Sequence, residues 1–327
     1  MKKKFLDVIF VVFYNHKALK KSLITIIDFF QNTEYFANIV IFDNSGDIKL
    51  ANDFKIFCKG LDKNLSIKYI FSKINFGFGG GCNRAAKTMN SEYILFLNCD
   101  TSFKKSSLKE FETMFKYCSS SSPIVGPKII DENGLTTPSC FSFDPISIFL
   151  KPIRHLKYVG RFSKYLSNYK MLRKRIERIT YKGINKNKPS YVDWVSGCCM
   201  IIKRDFFIQC KGFDERYFLY FEDVDICRKA RKMNKEVIFN PLFQVIHQGQ
   251  HESRSKVGLG FLNSIFTNKT ARYHLKSWLK YIFKWRGDFI LKIKFFILRV
   301  FKKEKLKKNL AYKLDFSKYI NLNNEID

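Results

Sequence analysis

Several patterns that would assign the chain to a particular class are missing from its sequence. Its nine cysteines are an odd number and include no Cys-x-x-Cys pair, so neither a zinc ribbon nor a disulfide framework is supported. Reduced thiols, as in cytosolic proteins, account for them. No run of about 20 apolar residues occurs, so the sequence predicts no transmembrane helix. Internal repeats are also missing, which argues against an array of repeated units.

The amino-terminal segment, MKKKFLDVIFVVFYNH, lacks the small-residue cleavage site that a signal peptide needs. It has the basic start and the apolar stretch of a signal peptide, but Asp7 interrupts the stretch. We therefore interpret this segment as a buried first strand.

Positive charge dominates the composition. Hydrophobic residues make up 46% of the 327 residues, which is ample for a globular core and excludes wholesale disorder. The net charge of +30 is concentrated in two segments. Residues 151–188 carry 13 Lys and Arg against one Glu, and residues 269–308 carry 14 against two acids. Such patches suit anionic lipid headgroups, nucleic acid or phosphorylated substrates, although a Lys-rich surface without function is the alternative.

Strands and helices alternate in the first half of the chain. Four apolar, β-branched runs predict strands, at residues 8–13, 38–42, 66–71 and 93–97. Residues 19–31 have helical periodicity, and a glycine-rich turn at 75–81 leads into a helix predicted at about 82–89. This alternation implies a doubly wound α/β sheet, which binds its ligands at the carboxyl ends of its strands.

Polar residues stand just past three of the predicted strands. They are Asp43, Asn75 and Asp100. The string NFGFGGGCNR begins at Asn75, and its glycines allow backbone amides to approach an anion before a helix N-terminus. The string is not G-x-G-x-x-G and it follows the third strand, so it does not predict a dinucleotide site. A tight turn that binds no ligand is the alternative to anion binding. Asp100 ends LFLNCD, where a carboxylate can bind Mg²⁺ or Mn²⁺ together with a diphosphate.

A second acidic group lies in GFDERYFLYFEDVDICRKARK, where three carboxylates fall within four residues in an aromatic setting. Charges in so apolar a setting are costly unless they are paired or functional. The alternatives are an acidic first turn of a helix and pairs between Asp225 and Arg228 or Lys229. Farther along, His247 and His251 follow an apolar run, and His247 is the better candidate for a metal or phosphate ligand.

The strings DNSG, NFGFGGGCN, LFLNCD, WVSGCCMIIKR, GFDERYFLYFEDVD and H-x-x-x-H, in this order, resemble the inverting family 2 glycosyltransferases of the GT-A fold. The closest likeness is to the bacterial rhamnosyltransferase-like branch. The resemblance covers about residues 8–255. It implies an α/β, Rossmann-like mixed sheet in a catalytic domain at 1–258, with a basic helical insertion at about 145–190. A basic, amphipathic helical appendage is expected at 259–327.

The resemblance also implies roles for particular residues. Asp223 is the expected general base, with Glu222 and Asp225 in support. The expected contacts of the nucleotide sugar are Asp43, Asn75, Gly77, Asn83, Asn98 and Asp100. Those expected to shape the acceptor side are Trp194, Ser196 and Gly197. Asp100 and His247 are expected to hold Mg²⁺ or Mn²⁺. Asn98 departs from the family pattern, since a first acid stands there in the fuller motif.

The resemblance implies that a sugar, rhamnose or another hexose, moves from a dTDP- or UDP-linked donor to a glycan or polyprenyl-diphosphate-linked acceptor. The basic, aromatic sequence after residue 259 predicts binding to the anionic inner face of the plasma membrane from the cytoplasm. A helical appendage packed on the catalytic domain is the alternative. A nucleic-acid-binding protein is disfavoured, because no helix-turn-helix, RRM or zinc pattern occurs. An inactive scaffold is disfavoured by the intact Asp100 and Asp223.

Overall fold

The computed structural model of the chain describes most of the predicted catalytic region and one helix beyond it. The described residues are 5–31, 33, 36–61, 65–104, 107–143, 184–185, 187–248 and 268–287. The expected insertion at 145–190 falls largely outside them, and so do His251 and the chain after residue 287.

Seven helices occur within the described residues. They are α1 (His16–Gln31), α2 (Ile48–Lys59), α3 (Gly77–Ala86), α4 (Leu108–Tyr117), α5 (Arg204–Gln209), α6 (Glu222–Lys232) and α7 (Lys269–Lys284). No helix in this part of the chain is long and apolar enough to span a bilayer.

Twelve strands accompany these helices in the described residues. They are β1 (Phe5–Val12), β2 (Phe36–Asp43), β3 (Ser66–Phe71), β4 (Tyr93–Leu97), β5 (Thr101–Ser102), β6 (Ile124–Ile130), β7 (Thr136–Thr137), β8 (Cys140–Phe141), β9 (Ser190–Val192), β10 (Trp194–Val195), β11 (Cys199–Lys203) and β12 (Val237–His247). The four strands predicted in the first half are thus confirmed, with β1 and β2 longer at their amino-terminal ends.

Ten of these strands form one mixed sheet. Its main order is β3-β2-β1-β4-β11-β6-β12-β5, with β7 beside β6 and β9 beside β12. Strands β3, β2, β1 and β4 run parallel, whereas β11 is antiparallel to both β4 and β6. Because β1 to β4 are parallel, their carboxyl ends meet at one edge, as the sequence predicts for a ligand site.

Helices cover both faces of the sheet. One face packs against α1, α2 and α4 through buried residues such as Leu23, Phe54 and Phe111. The other packs against α3, α6 and α7, whose buried residues include Ala85 and Tyr281. Strand β4 is buried along its whole length, as expected for a strand between two helical layers. The doubly wound architecture is confirmed.

The first strand carries a buried charge. Asp7 is fully buried in β1, pairs with the guanidinium of Arg204, and accepts hydrogen bonds from the Ser91 amide at 3.0 Å and the Ser91 hydroxyl at 2.6 Å. These partners offset the cost of taking a carboxylate out of water. The polar residue that interrupts the apolar amino-terminal run is therefore an internal anchor.

The glycine-rich string is helical from Gly77, so the prediction of a turn at 75–81 is wrong. The glycines allow α3 to lie close to its neighbours. A Cβ atom at Gly81 would lie 2.8 Å from Cγ1 of Val11, and one at Gly79 would lie 3.1 Å from Cβ of Phe213. Close packing of the helix on β1 outweighs the low helix propensity of glycine.

Candidate active site

A cavity of about 430 Å³ opens at the carboxyl edge of the parallel strands. It is lined by Val11, Phe13, Asn15, Asn44, Asn75, Gly77, Phe78, Asn98, Cys99, Asp100, Phe218, Leu219, Tyr220, His247, Lys269, Thr270 and Tyr273. Each parallel strand, or the loop that follows it, contributes to this wall. The sheet topology thus brings together residues that lie far apart in the sequence.

Asp100, Asn98 and His247 meet at one end of the cavity. Nε2 of His247 lies 3.0 Å from Oδ1 of Asp100 and 3.3 Å from Nδ2 of Asn98. The strand pairing explains this approach, because β12 is antiparallel to β5 and sets His247 opposite Thr101. The Gln248 amide also donates to the Asp100 carbonyl at 2.9 Å. The expected grouping of Asp100 with His247 is therefore present.

These residues suit a divalent cation that is shared with a phosphate ligand. Asp100 is 9% exposed, and it offers carboxylate oxygen beside the imidazole nitrogen of His247. Oxygen and imidazole ligands suit Mn²⁺, and Mg²⁺ commonly binds through one or two carboxylates plus phosphates. Among the described residues, no group of three or more His, Cys, Asp or Glu side chains could hold a metal on its own. A metal here would depend on the substrate for its remaining ligands.

Asn44, Asn75 and Gly77 form another part of the wall. The Asn44 amide donates to the Gly77 carbonyl at 2.9 Å, and its oxygen accepts from the Phe76 amide at 3.2 Å. Oδ1 of Asn75 accepts from the Gly77 amide at 2.8 Å, and Phe218 accepts from the Phe78 amide at 3.0 Å. The amides that begin α3 are thus already bonded within the protein. Sequence reasoning missed Asn44, although it stands beside Asp43 in the quoted string DNSG.

Asp43 lies beneath this wall and does not line the cavity. It is fully buried and accepts hydrogen bonds from the Ser45 amide at 2.7 Å, from His16 at 2.8 Å and from the hydroxyl of Tyr69. Burial alone would raise the pKa of Asp43, but these hydrogen bonds outweigh it and hold the pKa below its usual value. In this structure Asp43 fixes the end of β2, and its expected contact with the donor stays a prediction.

Asn83 also lies away from the cavity. Its side chain bonds both backbone groups of Phe213, at 2.8 and 2.9 Å, and its amide donates to Glu215 at 3.1 Å. Asn83 therefore ties α3 to the segment that leads to the acidic group. The lining of the cavity does not include it, so a contact with the donor diphosphate is not supported by this geometry.

Asp223 lies in the first turn of α6 and is partly exposed. The Gly197 amide donates to its Oδ2 at 2.9 Å, which joins one of the expected acceptor residues to the expected base. Asp223 and Asp100 both lie near Cys198. Burial raises the pKa of the Cys198 thiol to about 12, and the charges of Asp100 and Asp223 both add to this effect. The candidate base and the candidate metal ligand thus both act on Cys198, and of the two only Asp100 lines the cavity.

Glu222 and Asp225 are turned into the protein. Glu222 is buried against α3, with its Cβ 3.5 Å from a Cβ built at Gly79. Asp225 is fully buried and accepts from Lys284 and Trp285, each at 2.8 Å, and from Tyr217 at 3.2 Å. It binds the end of α7 to the start of α6. Of the three carboxylates, only Asp223 is partly exposed.

Trp194 and Ser196 adjoin this region from the other side. Trp194 is buried and stacks on Phe141, with the ring centroids 4.0 Å apart. The Ser196 amide donates to the Ser139 carbonyl at 2.8 Å. Trp194 therefore supports the loop that carries Gly197 and offers little surface to an acceptor. The acceptor roles of these residues stay predictions.

The backbone just before α6 adopts a conformation that sequence reasoning did not anticipate. Tyr220 and Phe221 both have positive φ, at 69° and 73°. Such values cost of order 1–3 kcal/mol each for residues with a side chain, and persist where surrounding contacts fix them. His274 of α7 packs on both rings, with centroid distances of 5.1 and 5.4 Å. No local sequence signal marks this pair, because the conformation depends on packing from α7.

Comparison with known proteins agrees with this geometry. The family model of Glycosyl transferase family 2 matches residues 8–138, which hold β1 to β4 and the Asn98-Cys99-Asp100 turn. This segment belongs to glycosyl transferase family 2. The resemblance stated from the motifs of the chain is thereby confirmed.

Two relatives are also similar to the chain, and the first aligns over more than the family-matched segment. The chain is 26% identical over 291 residues to the rhamnosyltransferase WbbL of Escherichia coli (strain K12), covering 84% of this chain and 91% of the relative. It is also 40% identical over 62 residues to an N-acetylglucosaminyl-diphospho-decaprenol L-rhamnosyltransferase of Mycobacterium tuberculosis, covering 19% and 20% of the two chains. The likeness to rhamnosyltransferases thus rests mainly on the first comparison.

A solved structure supports the fold assignment. GalNAc-T7, solved with UDP, GalNAc and Mn²⁺, aligns with a TM-score of 0.52 at 15% identity. The alignment covers 75% of this chain but 44% of that one, so the chain spans less than half of that protein. At this identity the comparison bears on the fold alone, and the expected GT-A type α/β fold is confirmed.

Proposed function

We propose that the chain is an inverting, metal-dependent hexosyltransferase. Its proposed donor is a dTDP- or UDP-linked sugar, with dTDP-rhamnose first, and its proposed acceptor is a hydroxyl of a polyprenyl-diphosphate-linked or other glycan. The observation that carries the proposal is the position of Asp100 and His247 at the cavity, with Asp223 nearby. The names of the relatives support rhamnose as the sugar and a diphospho-polyprenol glycan as the acceptor.

The chemistry assigned to each residue follows from this arrangement. Asp223 accepts the proton of the acceptor hydroxyl as that oxygen attacks the anomeric carbon, and the carbon–oxygen bond to the nucleoside diphosphate breaks on the opposite side. Attack from that side inverts the configuration, and no covalent intermediate with the enzyme is needed. Asp100 and His247 would hold Mg²⁺ or Mn²⁺, which neutralises negative charge on the leaving diphosphate. The Gly197 amide holds Asp223 in place for the proton transfer.

A panel assay tests this function. The protein would be incubated with GlcNAc-diphosphoprenol and with dTDP-rhamnose, UDP-glucose, UDP-galactose or UDP-GlcNAc, and the released nucleoside diphosphate would be measured. We expect one donor to be turned over in the presence of Mn²⁺ and acceptor, with inverted product stereochemistry by NMR. Retained configuration would contradict the single-displacement mechanism, and no release from any dTDP- or UDP-linked donor would contradict the proposed donor class.

We also propose that the protein works in the cytoplasm at the inner face of the plasma membrane. The support is the basic charge at residues 269–308 and a proposed acceptor that carries a polyprenyl chain. Because α7 belongs to the protein core, the informative truncation removes residues 288–327 and keeps α7. We expect the full chain, and not the truncated one, to sediment with phosphatidylglycerol vesicles at low salt. Equal sedimentation of the two proteins would contradict a role for that segment.

A further inference from the structure

The first turn of α7 forms part of the cavity wall. Lys269, Thr270 and Tyr273 line the cavity together with Asp100 and His247. This helix lies about 130 residues beyond the family-matched segment, which ends at residue 138. Nothing in the motifs or in the family match assigns a role to it.

The position of α7 at the cavity is fixed by contacts along the whole helix. At its start, the rings of Tyr273 and Phe218 lie 4.5 Å apart. In its middle, the hydroxyl of Ser277 donates to the Leu219 carbonyl at 2.8 Å. At its end, Lys284 and Trp285 bind the buried carboxylate of Asp225. The first turn is therefore held against the cavity by the same segment that carries Asp223.

The charges around the cavity explain what this turn would contribute. Among the described residues that line it, Lys269 is the sole Lys or Arg and Asp100 the sole carboxylate. A nucleoside diphosphate brings at least two negative charges into this space, and Asp100 adds another. A cation held by Asp100 and His247 alone leaves part of that charge unbalanced. A second positive group near the leaving diphosphate would stabilise both the bound donor and the transition state.

In this turn, the ammonium group of Lys269 is available to bind an anion, whereas the amides of Thr270 and Ala271 are not. Oδ1 of Asn268 caps the helix by accepting from the Thr270 amide at 2.9 Å and from the Ala271 amide at 3.3 Å. These two backbone donors are thus bonded within the protein. Lys269 itself is exposed, so its long side chain is free of the core packing that fixes α7.

We propose that Lys269 binds the diphosphate of the nucleotide-sugar donor and stabilises the charge that develops on it as the glycosidic bond breaks. This inference rests on the proposed function, because it assumes a nucleoside diphosphate donor. It makes α7 a functional part of the active site as well as a structural part of the fold.

Binding of dTDP and UDP, compared with thymidine and uridine, tests the proposal. Lys269→Met should weaken binding of the favoured nucleoside diphosphate roughly 10- to 100-fold, since a hydrogen bond to a charged group contributes about 1.5–3 kcal/mol. It should leave binding of the matching nucleoside unchanged. Lys269→Arg should retain most of the affinity. The matched control is Lys276→Met, because Lys276 is exposed on the same helix and does not line the cavity.

Calorimetric titration of the full chain, with and without Mn²⁺, gives these affinities, and donor turnover gives kcat and KM. Equal binding of the nucleoside diphosphate by wild type and Lys269→Met overturns the proposal while the proposed function stands. An equal loss of nucleoside binding also overturns it, since the effect would then be structural. Absence of nucleoside diphosphate binding and of transfer in the wild-type protein would overturn both.

Discussion

The backbone amide of Gly197 donates a hydrogen bond to Oδ2 of Asp223 at 2.9 Å. The space around this contact is small, because a Cβ atom at Gly197 would lie 3.0 Å from Cβ of Asp223. A residue other than glycine would push the carboxylate away or displace the loop. Together with the Val224 amide, which donates to Oδ1 at 2.8 Å, this contact fixes the orientation of the Asp223 carboxylate.

This contact makes Asp223→Asn an informative substitution. The amide oxygen of Asn can still accept from Gly197, but its NH2 group replaces the oxygen that accepts from the Val224 amide at 2.8 Å, so thermal unfolding of the variant is the control for its fold. The side chain no longer accepts a proton. We expect turnover to fall about 10²–10⁴-fold, with donor binding within a few fold of wild type. Steady-state kinetics and nucleotide titration measure the two effects. Turnover close to that of wild type would remove Asp223 from the mechanism.

Activity should depend on a divalent cation through Asp100. We expect EDTA to suppress transfer and Mn²⁺ or Mg²⁺ to restore it, because no group of three candidate ligands occurs among the described residues to retain the ion. Asp100→Ala should raise the Mn²⁺ concentration needed for half-maximal activity by at least about tenfold, and His247→Ala should raise it less. Metal titrations of activity give these values. Full activity of the wild type in excess chelator would show that the reaction is independent of metal.

Two glycines with the same backbone conformation should respond differently to alanine. Gly77 has φ of 75° and Gly134 has φ of 73°, but a Cβ at Gly77 would lie 2.0 Å from the Phe218 carbonyl oxygen, and one at Gly134 meets nothing within 4 Å. Gly134→Ala should lower the free energy of unfolding by about 1–2 kcal/mol through its conformation alone. Gly77→Ala should lower the free energy of unfolding by about 2–5 kcal/mol in total, because the clash of the new methyl group with the Phe218 carbonyl adds to the cost of the conformation. Urea denaturation compares them, and equal losses would contradict the close contact at Gly77.

The buried carboxylate of Asp225 should be important for stability. Asp225→Asn removes the buried carboxylate charge that faces Lys284, which keeps its ion pair with Asp214 at 2.7 Å, and should lower the free energy of unfolding by about 3 kcal/mol. Trp285→Phe removes one donor to Asp225 and should cost less, about 1–3 kcal/mol. Denaturation monitored by circular dichroism measures both. A wild-type midpoint for Asp225→Asn would show that α7 is not fixed through this residue.

Asp43 should make stability depend on pH in the acid range. Its pKa in the folded protein lies below its usual value, so the unfolded chain takes up the proton first as the pH falls. Its contribution is complete above about pH 4, the pKa of an unperturbed Asp, and is lost as the pH falls through the folded value. The stability difference between wild type and Asp43→Asn should therefore be largest near pH 6 and smaller at pH 3. Urea titrations at several pH values test this, and a difference that grows toward pH 3 would contradict it.

Much of the cavity wall could be predicted from the sequence because its signals are local. Asn75, Asn98 and Asp100 follow buried strands directly, and parallel strands bring their carboxyl ends to one edge whatever the details of packing. His247 follows a strand in the same way and lies 3.0 Å from Asp100, while its role as a metal ligand stays a prediction. The glycine-rich string was misread because close packing of a helix and close approach to an anion call for the same residue type. The identity of the neighbouring surface, and not the string itself, decides between them.

The residues that sequence reasoning missed depend on long-range packing. The sequence predicts that Asp225 supports the base, or pairs with Arg228 or Lys229. Lys229 does lie 3.8 Å from it, but the shorter bonds come from Lys284 and Trp285, about 60 residues away. Lys269 looks like one more lysine in a basic segment until the structure sets it at the cavity. The positive φ values of Tyr220 and Phe221 also follow from contacts with α7. No periodicity or motif reports such contacts.

The bond between Asp225 and Trp285 also bears on how the protein is made. During synthesis, the residues of the family-matched segment and Asp223 leave the ribosome well before α7 does. Until Trp285 follows, the Asp225 carboxylate lacks two of its hydrogen-bond donors, and the Tyr220–Phe221 backbone lacks the rings that hold it. Contacts between residues so far apart are formed late, since the intervening chain must be ordered first. The nascent chain should therefore hold Asp223, the proposed base, in its final position only after α7 has emerged.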